Sequence, residues 1–293
     1  MSCPANATGT SKQGQPVTIT WTAPATNGGQ PPVTTSCSPE SGTAFNLGTT
    51  SVTCRANDSA SQSTSCTFSV IISAAPRLTV TKFMGFGDSL TQGVDSPPAP
   101  AAIWQLPDWP FAYPYKLGDL LKVRYTDQTI TVWNDGLWGE KIYEGLERLP
   151  SEVRYYQPDV LLLLEGANDL AAEPTDETVS YISRRLQDMI HAARMQKSNI
   201  VIMLATFPPQ YEGSRGQGRF QVTNLNGQIA TVATSNAAIL VDLYKDFAAT
   251  GTRLIGVDGL HPTDAGFTQM AQSFYAAIQA NLEVKTAAAG LRR

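Results

Sequence analysis

Histidine is nearly absent from this chain, with only His191 and His261 among 293 residues. Charge is thin as well: 16% of residues carry one, the net is −4, and Lys and Arg never gather into a block. Nucleic-acid binding needs a basic patch, so that class is disfavoured. Apolar runs such as Val160–Leu164 are far too short to cross a bilayer, and no membrane span is expected. No cysteine follows Cys66, and none of the spacings among Cys3, Cys37, Cys54 and Cys66 resembles the C-x-x-C of a zinc site. Neither a metal-ligand cluster nor a phosphate-cradling loop occurs, so no metal and no cofactor are expected.

What is present divides into two halves with different patterning. Residues 1–75 are rich in Thr, Ser, Pro and Gly. Short β-branched runs alternate there with period two: Pro16–Trp21, Ser51–Cys54 and Cys66–Ile72. Turn-forming clusters such as Asn27-Gly-Gly29 separate them, which predicts a small β-sandwich. Such a segment is near the lower size limit for a self-sufficient core. Four cysteines confined to it read as two disulfides, with three possible connectivities. Disulfides imply an oxidising compartment, so a secreted or periplasmic protein is expected. The opening Met-Ser-Cys-Pro has no leader character, and an export signal is expected to be missing from this sequence.

Ser73–Arg77 reads as a linker, and the period then changes. Apolar strand-like runs at Leu78–Phe86, Ile130–Trp133, Asp159–Leu164, Ile200–Ala205 and Ala238–Leu243 alternate with helical patterns. In one helix, Val179, Ile182, Leu186, Met189 and Ala193 recur on a single face; in the last, Phe267, Met270, Phe274 and Ile278 do so. Runs apolar on both faces suit a parallel sheet covered by helices on each side. Residues 76–293 are therefore expected to form a separate α/β domain.

In open α/β sheets reactive groups gather at the carboxyl ends of strands. The ends here carry Gly87-Asp-Ser-Leu90, Asn134-Asp-Gly-Leu-Trp-Gly139 and Glu165-Gly-Ala-Asn-Asp169, and the last strand leads on to Asp258-Gly-Leu-His-Pro262. A serine hydroxyl is a poor nucleophile until a base takes its proton, and histidine suits that role. A carboxylate three residues before His261 can reach the other nitrogen of the same imidazole. Glycines such as Gly139 leave bare N–H groups able to approach an oxyanion. Plainer roles compete: Ser89 also suits a helix N-terminus, Asp88 and Asp169 read as caps, and His191 reads as solvated.

These clusters resemble the GDSL/SGNH hydrolase superfamily, whose four signature residues fall in order on Ser89, Gly139, Asn168 and His261. The similarity extends over about two hundred residues, including Arg148, Pro158-Asp159, Asn224 and Asp242. It implies a flavodoxin-like three-layer parallel sheet. It also implies Ser89 as nucleophile, His261 as base and Asp258 as its orienter, with Ser89, Gly139 and Asn168 forming an oxyanion hole. Where the family has a small residue before that glycine, this chain has Trp138. The α/β-hydrolase fold is the alternative serine-hydrolase frame, but its G-x-S-x-G pentapeptide is absent. The first segment resembles the hyalin-repeat (HYR) domain, an immunoglobulin-like module, through Cys3-Pro4, Cys37-Ser-Pro39, Gly48–Cys54, Ala56–Asp58 and Cys66–Phe68. That resemblance implies the pairs Cys3–Cys66 and Cys37–Cys54.

A proline-rich insertion, Val94–Tyr115, carries Trp104 and Trp109, and the loop Pro208–Gln217 carries Tyr211. With Trp138 these rings are expected to contact substrate. No run of large aliphatics lies near the serine to line a tunnel, so short acyl esters are expected, O-acetyl groups on carbohydrate among them. The rivals are a general carboxylesterase or lysophospholipase-like lipid esterase, and a non-catalytic adhesion or carbohydrate-binding protein. Nothing in the sequence addresses oligomeric state.

Overall fold

The computed structural model describes residues 1–94 and 111–284. Contacts divide the chain into two compact units, one built on Met1–Arg77 and the other on Leu78–Glu283.

In the first unit a four-stranded sheet has the order β1 (Ala7–Ser11), β6 (Ser63–Ala74), β5 (Gly48–Asn57), β3 (Thr34–Ser38). β1 runs parallel to β6, and the other pairs are antiparallel. A second sheet joins β2 (Val17–Thr18) to β4 (Ala44–Phe45). Along β5, buried Val52, Cys54 and Ala56 alternate with exposed Ser51, Thr53 and Arg55, as a one-sided strand requires. Val52 and Cys54 build a small core with Phe45, Phe68, Val70 and Ile72, against which Trp21 packs edge-on to Phe68 at 5.1 Å. Disulfides join Cys3 to Cys66 and Cys37 to Cys54. Cys54 lies directly opposite both Cys37 and Cys66 in the sheet register, so strand pairing alone offered it two partners.

The run Pro16–Trp21 forms a regular strand only at Val17–Thr18, shorter than its alternation suggested. Beyond Thr18 the ladder becomes irregular. Ile19 N–H donates to the Thr43 carbonyl, and the Ser41 hydroxyl both accepts from Trp21 N–H and donates to the Trp21 carbonyl. A side chain thus satisfies backbone groups that a partner strand would otherwise pair.

The second unit holds a five-stranded sheet, all parallel, in the order β11 (Ile239–Val241), β10 (Val201–Ala205), β9 (Val160–Leu164), β7 (Lys82–Gly87), β8 (Thr131–Gly136). This is the flavodoxin-like order. Every residue of β9 is buried, because helices cover both faces. α2 (Tyr113–Arg124) packs with α8 (Asp264–Leu282) in one layer. In the other, α5 (Asp176–Gln196) packs with α3 (Ile142–Tyr156) and α6 (Val222–Ser235). Local chemistry sets the helix starts: the hydroxyl of Thr175 accepts from Thr178 N–H, and that of Thr263 from Gly266 N–H. Among the described residues no helix is long and apolar enough to cross a membrane.

The chain leaves β7, forms β8 on one side, then crosses back to β9 on the other. Neighbouring loops therefore diverge at the carboxyl ends of β7 and β9, and a crevice opens there.

Candidate active site

Ser89 begins α1 (Ser89–Gln92), the turn that follows β7. Its N-cap is Asp88, whose carboxylate accepts from Leu90 N–H at 2.9 Å. The second oxygen of Asp88 accepts from Ala167 N–H at 3.0 Å, at the start of α4 (Ala167–Ala172). One buried carboxylate therefore ties the helix that carries Ser89 to the helix that carries Asn168. Burial pushes the Asp88 carboxyl up to about 6, against the pull of those two N–H donors.

Ser89 Oγ lies 2.9 Å from His261 Nε2, and His261 Nδ1 lies 2.6 Å from Asp258 Oδ2. A proton on Nδ1 satisfies both contacts: Nδ1–H donates to Asp258, and Nε2 accepts from Ser89. All three side chains are at least 96% buried, Asp258 being the least so at 4% exposed. The other Asp258 oxygen accepts from the N–H groups of Leu260 and His261 at 3.1 and 3.0 Å. Burial raises the Asp258 carboxyl, but its hydrogen bond and charge interaction with His261, with those two N–H groups, outweigh it and hold the group at about 2. A carboxylate this low stays ionised at neutral pH.

The loop after β8 carries Gly139 at φ +78°, a left-handed conformation that glycine adopts without strain, and among the described residues none beyond its chain neighbours lies within 4 Å of where a Cβ would stand. The loop is held at its start, by Leu137 N–H on the Gly87 carbonyl at 2.8 Å and by Trp138 N–H on Gln92 Oε1 at 2.8 Å. At Gly136 the loop meets the backbone of α1, where a Cβ would collide with Gln92. Asn168 Nδ2 donates one hydrogen to the Glu140 carbonyl at 2.9 Å, which fixes the plane of the amide and leaves the second hydrogen available. Glu140 is held in turn by the Arg148 guanidinium, which donates to both carboxylate oxygens at 2.8 and 2.7 Å and lies 4.1 Å over the Phe86 ring.

The predicted residues Ser89, Asp258 and His261 are thus in contact, and the Asp88 and Glu140 bonds draw the Asn168 and Gly139 loops toward them. Trp138 is exposed at 52% beside Gly139. Trp104 and Trp109 lie outside the described residues. Tyr211, expected to contact substrate, is also engaged within the chain. Arg253 lies 4.9 Å over its ring, and its N–H donates to the Gly259 carbonyl, so it braces the Asp258 loop. His191 is exposed as expected, yet it also bonds Asn236 at 3.0 Å. Asp169 acts as a cap across elements, accepting from Ile142 N–H at 2.9 Å at the start of α3.

Sequence reasoning missed the neighbours that position these groups. Gln92 lies three residues after Ser89 and so on the same helical turn, a signal that was there to read. Among the groove residues, Asn168 and the loop Pro208–Gln217 are expected near the cleft from sequence, whereas Ala171, Ala172 and Leu260 carry no such signal. A groove of about 450 Å³ opens beside Asn168, lined by Asn168, Ala171, Ala172, Ser214, Arg215, Gln217 and Leu260. Also missed was Glu165, fully buried with one carboxyl oxygen lacking a partner. Burial, with Asp88 and Glu140 nearby, pushes its carboxyl well above the usual range.

That shift predicts a pH effect. A raised folded-state pKa means the folded protein binds this proton more tightly than the unfolded chain, so stability is lost as pH rises above the unfolded value of 4.5. Glu165→Gln keeps the shape and removes the titration. The melting temperature of the variant relative to wild type should therefore climb from pH 5 to pH 8. Parallel thermal-melt curves for the two proteins across that range would mean Glu165 ionises without penalty.

The GDSL-like lipase/acylhydrolase family model matches residues 86–268, and the HYR domain model matches residues 1–72. An arylesterase of Vibrio mimicus is 28% identical over 182 residues, covering 62% of this chain and 80% of its own length. A lipase/acylhydrolase structure from Enterococcus faecalis is 25% identical with a TM-score of 0.56, covering 71% of this chain and all of its own. An acetyl xylan esterase structure is 26% identical with a TM-score of 0.53, covering 67% and 98%. This chain belongs to the GDSL-like lipase/acylhydrolase family of carboxylic ester hydrolases, with an HYR domain preceding the hydrolase fold.

Proposed function

We propose that the protein hydrolyses short-chain acyl esters, O-acetyl groups on carbohydrate among them, with Ser89 as nucleophile, His261 as base and Asp258 as its orienter. The observation that carries this reading is the buried hydrogen-bonded chain Ser89–His261–Asp258. Ser89 Oγ attacks the acyl carbonyl while His261 Nε2 takes its proton. The negative charge that develops on the carbonyl oxygen is received by the N–H groups of Ser89 and Gly139 and the remaining hydrogen on Asn168 Nδ2. His261 then passes the proton to the departing alkoxide. In the second half it deprotonates a water that releases the acid and restores Ser89.

The arylesterase and acetyl xylan esterase relatives support an ester of this class. The groove beside Asn168 supports short acyl groups, since its lining is mostly polar or small and offers one large aliphatic, Leu260. Disulfides and the HYR domain support an extracytoplasmic location. The test is a series of 4-nitrophenyl esters from acetate to decanoate, alongside acetylated xylo-oligosaccharide. Activity should peak at acetate to butyrate and fall by about tenfold or more toward decanoate, where added methylenes find no apolar surface to cover. A rate that climbs with chain length would favour a lipid esterase.

A further inference from the structure

Among the described residues, the lining of the groove beside Asn168 carries a single formal charge. Of its seven lining residues Arg215 alone is ionised; the others are Asn168, Ser214, Gln217 and the apolar Ala171, Ala172 and Leu260. Among the described residues no carboxylate lines it. Arg215 is exposed, and its guanidinium makes no ion pair with any of the described residues. Other arginines of this unit are engaged, Arg124 with Glu283, Arg148 with Glu140, Arg185 with Asp188, and Arg253 with the Ile255 and Gly256 carbonyls. Arg154 and Arg184 form no ion pair with the described residues either, but neither lines this groove.

The backbone of Arg215 is also anchored to the reacting centre. Its N–H and that of Gly216 both donate to the Asp258 carbonyl, at 2.9 and 3.1 Å. Glycines permit this approach, since a Cβ at Gly213 would collide with the Asp258 carbonyl and one at Gly216 with that of Tyr211. The loop that presents the guanidinium thus moves with the loop that carries Asp258 and His261. Asn168 lines the same groove and links it to the expected oxyanion site. A substrate whose ester carbonyl met Ser89 and Asn168 would therefore bring its neighbouring groups to the groove that Arg215 also lines.

We propose that Arg215 is a specificity-determining residue, and that the preferred ester carries a carboxylate a short distance from the scissile bond. This rests on the esterase reading above and adds the charge of the substrate. A guanidinium recognises a carboxylate through paired N–H donors, and flanking Ser214 and Gln217 complete a polar lining for the rest of that group. The carboxylate can belong to the acyl part, as in a half-ester of a diacid, or to the alcohol part, as in an acetylated uronic acid.

Two substrate pairs separate these sources. On the acyl side, 4-nitrophenyl hemisuccinate is compared with 4-nitrophenyl butyrate; on the alcohol side, 4-acetoxybenzoate is compared with its methyl ester. For each pair the anionic-to-neutral ratio of kcat/KM is measured in wild type, Arg215→Lys, Arg215→Gln and Arg215→Glu, so that intrinsic reactivity cancels between proteins. In one pair the ratio should fall by about tenfold in Arg215→Gln and further in Arg215→Glu, with Arg215→Lys retaining part of it. The wild-type ratio should also shrink as salt rises from 0.02 to 0.5 M. Ratios that stay level across all four proteins in both pairs overturn the assignment while neutral-ester turnover leaves the esterase reading standing. Absence of turnover on all four esters by wild type would instead bring down the esterase reading itself.

Discussion

Ser89→Ala should lower kcat on 4-nitrophenyl acetate by about 10⁴-fold or more while the protein remains folded. The hydroxyl is the atom His261 Nε2 meets, and no other serine, threonine or cysteine side chain among the described residues bonds that nitrogen. Folding should survive for a local reason. The helix cap at this turn is the Asp88 carboxylate on Leu90 N–H, so removing the Ser89 hydroxyl leaves the cap intact. The N–H of residue 89 also persists, so one expected oxyanion donor survives in the variant. Single-turnover kinetics on purified protein, with a thermal melt as control, measure both halves of the expectation. A variant retaining a tenth of wild-type kcat would take Ser89 out of the mechanism.

Asp258→Asn should cost about 10⁴-fold in kcat, through the proton on the imidazole. In the wild type one Asp258 oxygen accepts from the N–H groups of Leu260 and His261, and the other faces His261 Nδ1. An asparagine must place its single oxygen on those two N–H groups, which leaves its NH₂ facing Nδ1. That nitrogen then has to accept, and the ring proton moves to Nε2. A protonated neutral Nε2 cannot take the proton of Ser89. The substitution also removes a carboxylate held at about 2, below its ordinary value of 3.8. A depressed folded-state pKa stabilises the protein above the unfolded value, and that contribution is lost as pH falls through the folded one. The variant should therefore melt below wild type at pH 7, and the gap should narrow toward pH 2. Near-wild-type kcat in Asp258→Asn would show that another group orients His261.

Much of this site was readable because its residues sit at strand ends in short polar clusters with glycine. Ser89, Gly139 and Asn168 follow strand ends directly, His261 lies in a polar cluster with glycine further on, and two histidines in the whole chain left little choice of base. The layered α/β unit was readable for a similar reason, since β9 is apolar at every position and α5 repeats its apolar residues at helical spacing. What was not readable involves partners distant in the chain. The Asp88 bond to Ala167 spans 79 residues, and the Asn168 bond to the Glu140 carbonyl spans 28. Trp21 illustrates the same limit in the first unit, because its alternating run is completed by a serine hydroxyl in place of a strand.

By itself the sequence determined which residue types could do chemistry, and that two differently patterned units would fold around separate cores. Both follow from local properties: period, turn residues and the pKa range of each side chain. Only the tertiary structure decided that Tyr211 braces a loop beneath Arg253 while Arg215, four residues on, lines the groove. Nothing local distinguishes the two positions. The difference arises where the loop crosses the Asp258 carbonyl, a contact that exists only once the loops beyond β10 and β11 have met.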